Sequence, residues 1–301
     1  MEQYYLQHGY FSTPGIFETK LSALPGDLTR WLEIAQGWVR HLHDIPMSEL
    51  VKMNGQAREV ELRYVSKMLE RIQPDKFGNA KHKIIGICRD IAILMCAILR
   101  SKNIPARLRY GFSTYHKKDF NHDIIIVEAW NARDEKWHKI DVRTTPELIV
   151  KWDLNITFDL YNLTDDQFIP AHLAWQYVRS NKIAGEQFGA AQYRGAWYVR
   201  NTMFLDFLSL MKVEFLVWDA WSVMLEKFQL GDPMQIDSIK KLDYLSEMLS
   251  LTAMDNDFKR LFRIYNEEAV FQVPNEVTSY GPIHPQGKTF NVPNSVLPLV
   301  Q

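Results

Sequence analysis

Apolar residues recur at helical spacing over Leu28, Trp31, Leu32, Ile34, Ala35, Trp38, Val39 and Leu42, and Asp27 stands where an N-cap belongs. Val60, Val65, Met68, Leu69 and Ile72 give a second amphipathic pattern, which stops before Pro74. Residues 88–101 are apolar on almost every side from Ile91 to Leu99, which predicts a helix buried in the middle of the molecule. Asn103 suits the left-handed residue that closes a helix, and Pro105 blocks its continuation. A buried strand is the weaker alternative, because Ala, Leu and Met favour helix. The period then becomes that of strands over Ala106–Phe112, His122–Trp130 and Trp137–Val142, with a polar turn from Asn131 to Lys136. Beyond about residue 160 strand signals fade, and helical patterns recur near 171–183, 196–211, 218–228, 237–251 and 255–269. Residues 1–24 read as irregular, and Pro274, Pro282, Pro285, Pro293 and Pro298 predict an extended tail over 272–301. The pattern is that of an α+β chain: residues 1–160 as a core with a buried helix on an antiparallel sheet, then a helical extension over 161–301.

Composition agrees with a folded protein. Of 301 residues, 47% are hydrophobic and 13% aromatic, too many for a disordered chain. With Gly 14 and Pro 13, collagen-like and low-complexity classes are excluded. Lys+Arg 35 against Asp+Glu 36 leaves a formal charge of −1, so no net field favours nucleic acid or an anionic membrane. The start, Met1 to Tyr5, lacks the basic and then apolar run of a secretory signal. The longest apolar run, Ile91–Leu99, is far shorter than the roughly 20 residues that span a bilayer. The expectation is a cytoplasmic protein with neither nucleic acid nor membrane as partner. Cys88 and Cys96 would lie about 12 Å apart along a helix, too far for a disulfide, and are expected as free thiols.

One of those thiols has unusual surroundings. In Gly86-Ile87-Cys88-Arg89-Asp90 a cysteine falls at the first turn of the buried helix, where the dipole and unpaired N–H groups favour a thiolate. Arg89 adds a positive charge if it points the same way. A small apolar residue at the core edge is the plain alternative for Cys88. His122 opens one strand and Asp141 closes the next. An even-numbered hairpin loop puts both on one face, and a two-residue loop at 131–132 puts them directly opposite. Cysteine, histidine and carboxylate form a nucleophile, base and orienter set. The plain alternatives are an edge-strand histidine and a solvated turn aspartate.

These residues also carry a family resemblance. Gly86-Ile87-Cys88-Arg89-Asp90, Leu99-Arg100, Ile104-Pro105-Ala106-Arg107, Tyr110-Gly111-Phe112, Asn121-His122, Glu128-Ala129-Trp130-Asn131 and Trp137-His138-Lys139-Ile140-Asp141 resemble the transglutaminase-like superfamily. The resemblance is tight over about residues 84–143, and a softer likeness to some bacterial members runs from Trp197-Tyr198 to Trp218-Asp219-Ala220-Trp221. It implies a papain-like or transglutaminase-like core with Cys88 as nucleophile, His122 as base and Asp141 as orienter. It further implies acyl transfer on an amide of a peptide or protein, by a peptidase, amidase, deamidase or transglutaminase, without a cofactor. Two departures stand out: Asp123, where many relatives have an aromatic residue, and Asn121, where an acidic residue is common.

Other signals weigh less. His41, His43 and Asp44 lack a third ligand at sensible spacing for a metal. Cys96 reads as core. His116 is a rival base, but its loop beside Lys117 and Lys118 reads as mobile and solvated. Trp130 and Trp137 share the predicted face of His122 and Asp141, so they wall a substrate cleft or fill the sheet-to-helix core. Candidates for a side-chain oxyanion donor are Asn54, Gln56 and Trp38, beside the Cys88 backbone N–H. The rival function is a non-catalytic module that binds a peptide or protein partner with the same scaffold.

Overall fold

The computed structural model describes residues 2–46, 48–49, 56–226, 236–255, 257 and 259–293. Helix α1 (Glu2–Leu6) and helix α2 (Glu18–Ser22) lie in the stretch that the sequence pattern reads as irregular. Tertiary contacts order it: Tyr5 is fully buried and its hydroxyl donates to Leu210 O at 2.7 Å. Helix α3 (Leu28–Trp38) begins at the expected cap, with the Asp27 carboxylate accepting the Arg30 N–H at 3.1 Å. It ends earlier than its apolar pattern, because Val39 turns extended and opens strand β1 (Val39–His41). Helix α4 (Val65–Ile72) closes on Gln73 in the left-handed conformation, φ 49°. Strand β2 (Ile84–Gly86) runs parallel to β1, with His41 opposite Gly86. Helix α5 (Cys88–Ser101) follows at once and is buried at every residue from Arg89 to Ser101. Asn103, at φ 58°, ends it as the sequence predicts.

Three strands receive this helix: β3 (Ala106–Ser113), β4 (Asn121–Asn131) and β5 (Lys136–Ile140), antiparallel in sequence order. Alternation sorts their side chains. Leu108, Tyr110 and Phe112 of β3 and Ile125, Val127 and Ala129 of β4 join α5 in the main core, while Ile124 and Ile126 pack with Leu163 and Phe168. The β4–β5 pairing closes at Asn131 and Lys136, leaving an even-numbered loop, 132–135.

The rest of the chain is woven into this frame. Helix α6 (Pro146–Lys151) is capped by Thr145. Strand β6 (Phe168–Pro170) pairs with β3 and leads into helix α7 (Ala171–Arg179). Strand β7 (Phe188–Ala190) runs parallel to the start of β4, with His122 opposite Gly189, and pairs with β8 (Tyr193–Arg194). Helix α8 (Ala196–Leu210) packs on the sheet, where Asp206 takes a two-pronged ion pair from Arg109 at 2.9 and 2.9 Å. The helix expected near 218–228 is instead strand β9 (Asp219–Ala220) and a 3-10 turn over Ser222–Leu225, with 227–228 outside the described residues. Buried Asp219 explains the difference: it accepts the Leu216 N–H and is forked by Arg63, so its backbone turns there. Helices α9 (Ile236–Asp255) and α10 (Lys259–Glu267) follow. The described tail forms a hairpin of β10 (Glu276–Ser279) and β11 (Lys288–Asn291) joined to β9, rather than running free. The fold is α+β, with the cysteine-bearing helix on an antiparallel sheet. No helix among the described residues is long and apolar enough to cross a membrane.

Candidate active site

Cys88 owes its position to Asp90. That carboxylate accepts the Ile87 N–H at 2.8 Å, caps α5, and leaves Cys88 as the first helical residue. Gly86 makes room for the cap, since a Cβ there would lie 2.6 Å from Asp90 Oδ2. Cys88 is partly exposed, and Cys96 is buried; both are free thiols. The Ile125 backbone N–H points at the Cys88 sulfur, with the Asp123 carboxylate close by. A helix N-terminus by itself lowers a thiol pKa. Here burial, helped by the charge of Asp123, pushes the Cys88 thiol up to about 12. Arg89 does not offset this. Successive helix residues diverge, and its guanidinium points inward to Arg63 O at 2.9 Å, Asp90 Oδ1 at 3.1 Å and Glu214 O.

His122 is the second residue of β4 and is half-buried, just before the fully buried stretch that begins at Ile124. Its Nδ1 lies 2.9 Å from the Asp123 carbonyl and 3.2 Å from Asp123 Oδ1. Nδ1 therefore carries the proton, and Nε2 has no hydrogen-bond partner among the described residues. Burial lowers the affinity of this imidazole for a proton, but the Asp123 carboxylate outweighs it and the pKa is raised. Strand alternation puts Asp123 on the α5 side with Ile125 and Val127, and gives His122 the parity of Ile124 and Ile126. The second oxygen of Asp123 accepts the Tyr198 hydroxyl at 2.7 Å.

Asp141 is drawn into a different cluster. The even loop preserves its face, but its length shifts the register: Val127 pairs with Ile140, so Asp141 falls opposite Ile126, four residues or ~13 Å along β4 from His122. Asp141 Oδ1 accepts the Arg143 N–H at 2.6 Å and the Thr144 N–H at 3.0 Å. Its Oδ2 accepts the Tyr115 hydroxyl at 2.6 Å and the Thr144 hydroxyl. The histidine beside it is His116, whose Nε2 lies 4.0 Å away. His116 is not solvated: its side chain is 3% exposed, with Ser113 Oγ 2.6 Å from Nδ1 and Thr144 Oγ1 2.9 Å from Nε2. Burial, with the charges of His122 and Arg143, lowers its pKa to about 4 against the opposing pull of Asp141.

Trp130 and Trp137 face each other across the β4–β5 pair, ring centres 5.5 Å apart, with the Arg107 guanidinium 4.2 Å from the Trp137 ring. They sit at the hairpin end, eight residues or roughly 26 Å along β4 from His122. The cleft beside Asp123 is lined instead by Tyr110, Ile125, Trp197, Tyr198, Asn201 and Thr202, among others, and holds about 40 Å³. Of the oxyanion candidates, Trp38 spends its N–H on Gly78 O at 2.7 Å. Asn54 and the Gln56 side chain lie outside the described residues. His41 and His43 come near His122, their rings 5.3 Å apart, and burial lowers both pKa values. No group of three or more His, Cys, Asp or Glu among the described residues could hold a metal ion.

Comparison with known proteins adds the family. Residues 49–142 match the family model described as the transglutaminase-like superfamily, so this segment is similar to that superfamily. A solved structure of a "putative cysteine protease" from Cytophaga hutchinsonii is 17% identical, with a TM-score of 0.30, over 48% of this chain and 42% of that one. The match therefore takes in less than half of either protein. No curated protein matches the chain.

Proposed function

We propose that the protein is a cysteine-dependent acyl-transfer enzyme acting on an amide of a peptide or protein. Cys88 is the nucleophile in this reading and His122 the proton carrier. The single observation behind it is the Asp123 carboxylate, which lies close to the Cys88 sulfur at the start of α5 and 3.2 Å from Nδ1 of His122, whose Nε2 is unengaged among the described residues. Nε2 would take the thiol proton as the sulfur bonds to the carbonyl carbon, with the Cys88 N–H as one donor to the oxyanion. The C–N bond then breaks, and the amine or ammonia leaves with the proton from His122. Water would resolve the acyl-enzyme to a carboxylic acid, or an amine would resolve it to a new amide. In either case the imidazole takes the entering proton and returns it to the sulfur. Hydrolysis is the favoured second step. Asp141 acts one layer out, fixing the turn that carries Thr144 and, through Thr144, His116.

A second reading is favoured by one observation: the thiol pushed up to about 12, with Asp123 beside it. That chemistry suits a non-catalytic module in which Cys88 stays protonated. Alkylation of the full chain with iodoacetamide across pH 5–10, located by peptide mass, separates the two. In the catalytic reading Cys88 labels below pH 8 faster than a model thiol, and His122→Ala abolishes that advantage. Labelling of Cys88 that rises only at strongly alkaline pH, indifferent to His122→Ala, rules out the enzyme.

A further inference from the structure

Asp141 has no capacity left to orient His122. A carboxylate offers about four lone-pair sites, and four donors occupy them: the Arg143 and Thr144 backbone N–H groups and the Tyr115 and Thr144 hydroxyls. Asp123 is placed differently. One of its oxygens lies 3.2 Å from His122 Nδ1, and the other accepts the Tyr198 hydroxyl at 2.7 Å. Its side chain is only 15% exposed, so neither contact is freely exchanged with water.

From this geometry we infer that Asp123, held by Tyr198, is the carboxylate that orients the His122 imidazole, and that Asp141 is not. The inference rests on the proposed reaction and deepens it. Asp123 and Tyr198 are positioning residues: neither is asked to touch the substrate carbonyl. Asp123 fixes the tautomer with the proton on Nδ1, so that the Nε2 lone pair is the one free to accept the thiol proton. Tyr198 fixes Asp123 from the first turn of α8, which gives the second half of the chain a part in the site. Gly195, at φ 121°, lets the chain turn from β8 into that helix. Trp197 packs edge to face on Tyr198 at 5.4 Å, and Phe112 lies 6.4 Å from it, so the phenol has little freedom to swing away.

The other charged and titratable groups around His122 are Lys117 and His116, from the loop between β3 and β4, and His41 and His43, from β1 and the turn after it. When charged, each would disfavour protonation of His122. A titration midpoint above the ordinary histidine value therefore has to come from Asp123.

The test is NMR titration of the His122 ring protons in the full chain, with the resonance identified by His122→Gln. Asp123→Asn is expected to lower the His122 midpoint by about one pH unit or more. Asp141→Asn should leave it within ~0.3 unit, the scale of a distant charge. Asp123→Glu should keep it above that of Asp123→Asn, which covers the case in which the Asn variant folds poorly. Tyr198→Phe should retain the charge effect yet slow Cys88 alkylation below pH 8 by about tenfold. A midpoint that follows Asp141→Asn and ignores Asp123→Asn overturns the inference. Because the titration requires no turnover, a Cys88 that is never activated would defeat the proposed reaction and leave the Asp123 result standing.

Discussion

Histidines define the residue scale of this site, and they divide by surroundings. His122 has a carboxylate at its Nδ1 and a raised pKa. His116 and His172 are buried and lowered, to about 4 and about 3, chiefly by loss of water. The two kinds have opposite effects on stability. A buried histidine with a lowered pKa stabilises the fold above the unfolded value of about 6.5, and that contribution is lost as pH falls toward its folded value. His122 contributes most at low pH, and loses its contribution as pH rises through its raised pKa. The lowered histidines outnumber it, since His8, His41 and His43 join them. Urea unfolding should therefore show stability falling from pH 6.5 toward pH 4, by up to ~1.4 kcal/mol per unit for each such histidine. His116→Gln should flatten that slope. A profile level over this range would contradict the burial and neutrality of these rings.

At the scale of elements, α5 is the part the sequence specifies most fully. Its apolar residues on every side, Asn103 at the left-handed stop and Pro105 beyond it all agree, because one helix buries every face in a single core. Its start is set by a closer fit, that of Gly86 against Asp90. Gly86→Ala would bring a Cβ to 2.6 Å from Asp90 Oδ2 and 3.0 Å from Val39 Cγ1. Loss of the cap costs ~1 kcal/mol, and crowding against packed neighbours costs ~1–3 kcal/mol more. The variant should melt lower and alter the pH profile of Cys88 alkylation, because the cap that fixes Cys88 is displaced. An unchanged melting temperature would mean that Asp90 is not the cap. The sheet shows where sequence stops short. Strand identity was legible in the alternation and the polar turn, but the parity and length of the loop were not, and its length moves Asp141 from His122 toward His116. The short strands β6 to β8 had no periodic signal, and the helical pattern near 218–228 misled, because pairing with β3 and β4, and the Arg63–Asp219 fork, decide these segments across long stretches of chain.

The whole molecule joins its halves at the place where the chemistry is proposed. Arg109 is shared between Glu128 of β4 and Asp206 of α8, and Arg107 also holds Glu128, so α8 is fastened to the sheet by charges buried in the core. The same helix delivers Tyr198 to Asp123. That link was beyond sequence reading: Asp123 was visible as an unusual residue after the histidine, but nothing in the spacing paired it with a tyrosine 75 positions away. The candidate cysteine and histidine were legible as residue types at a helix start and a strand start; the carboxylate that lies against the histidine was not.

Whether sulfur at Cys88 becomes acylated is the most direct question, and intact-mass analysis after exposure to p-nitrophenyl acetate answers it. Acyl transfer through the Cys88 sulfur should leave one acetyl group per chain, located at Cys88 by peptide mapping, absent in Cys88→Ala and slowed by orders of magnitude in His122→Ala. Cys96, buried eight residues further along α5, should stay unmodified in all three proteins. No adduct at Cys88, or one that forms equally fast without the imidazole, would contradict that transfer.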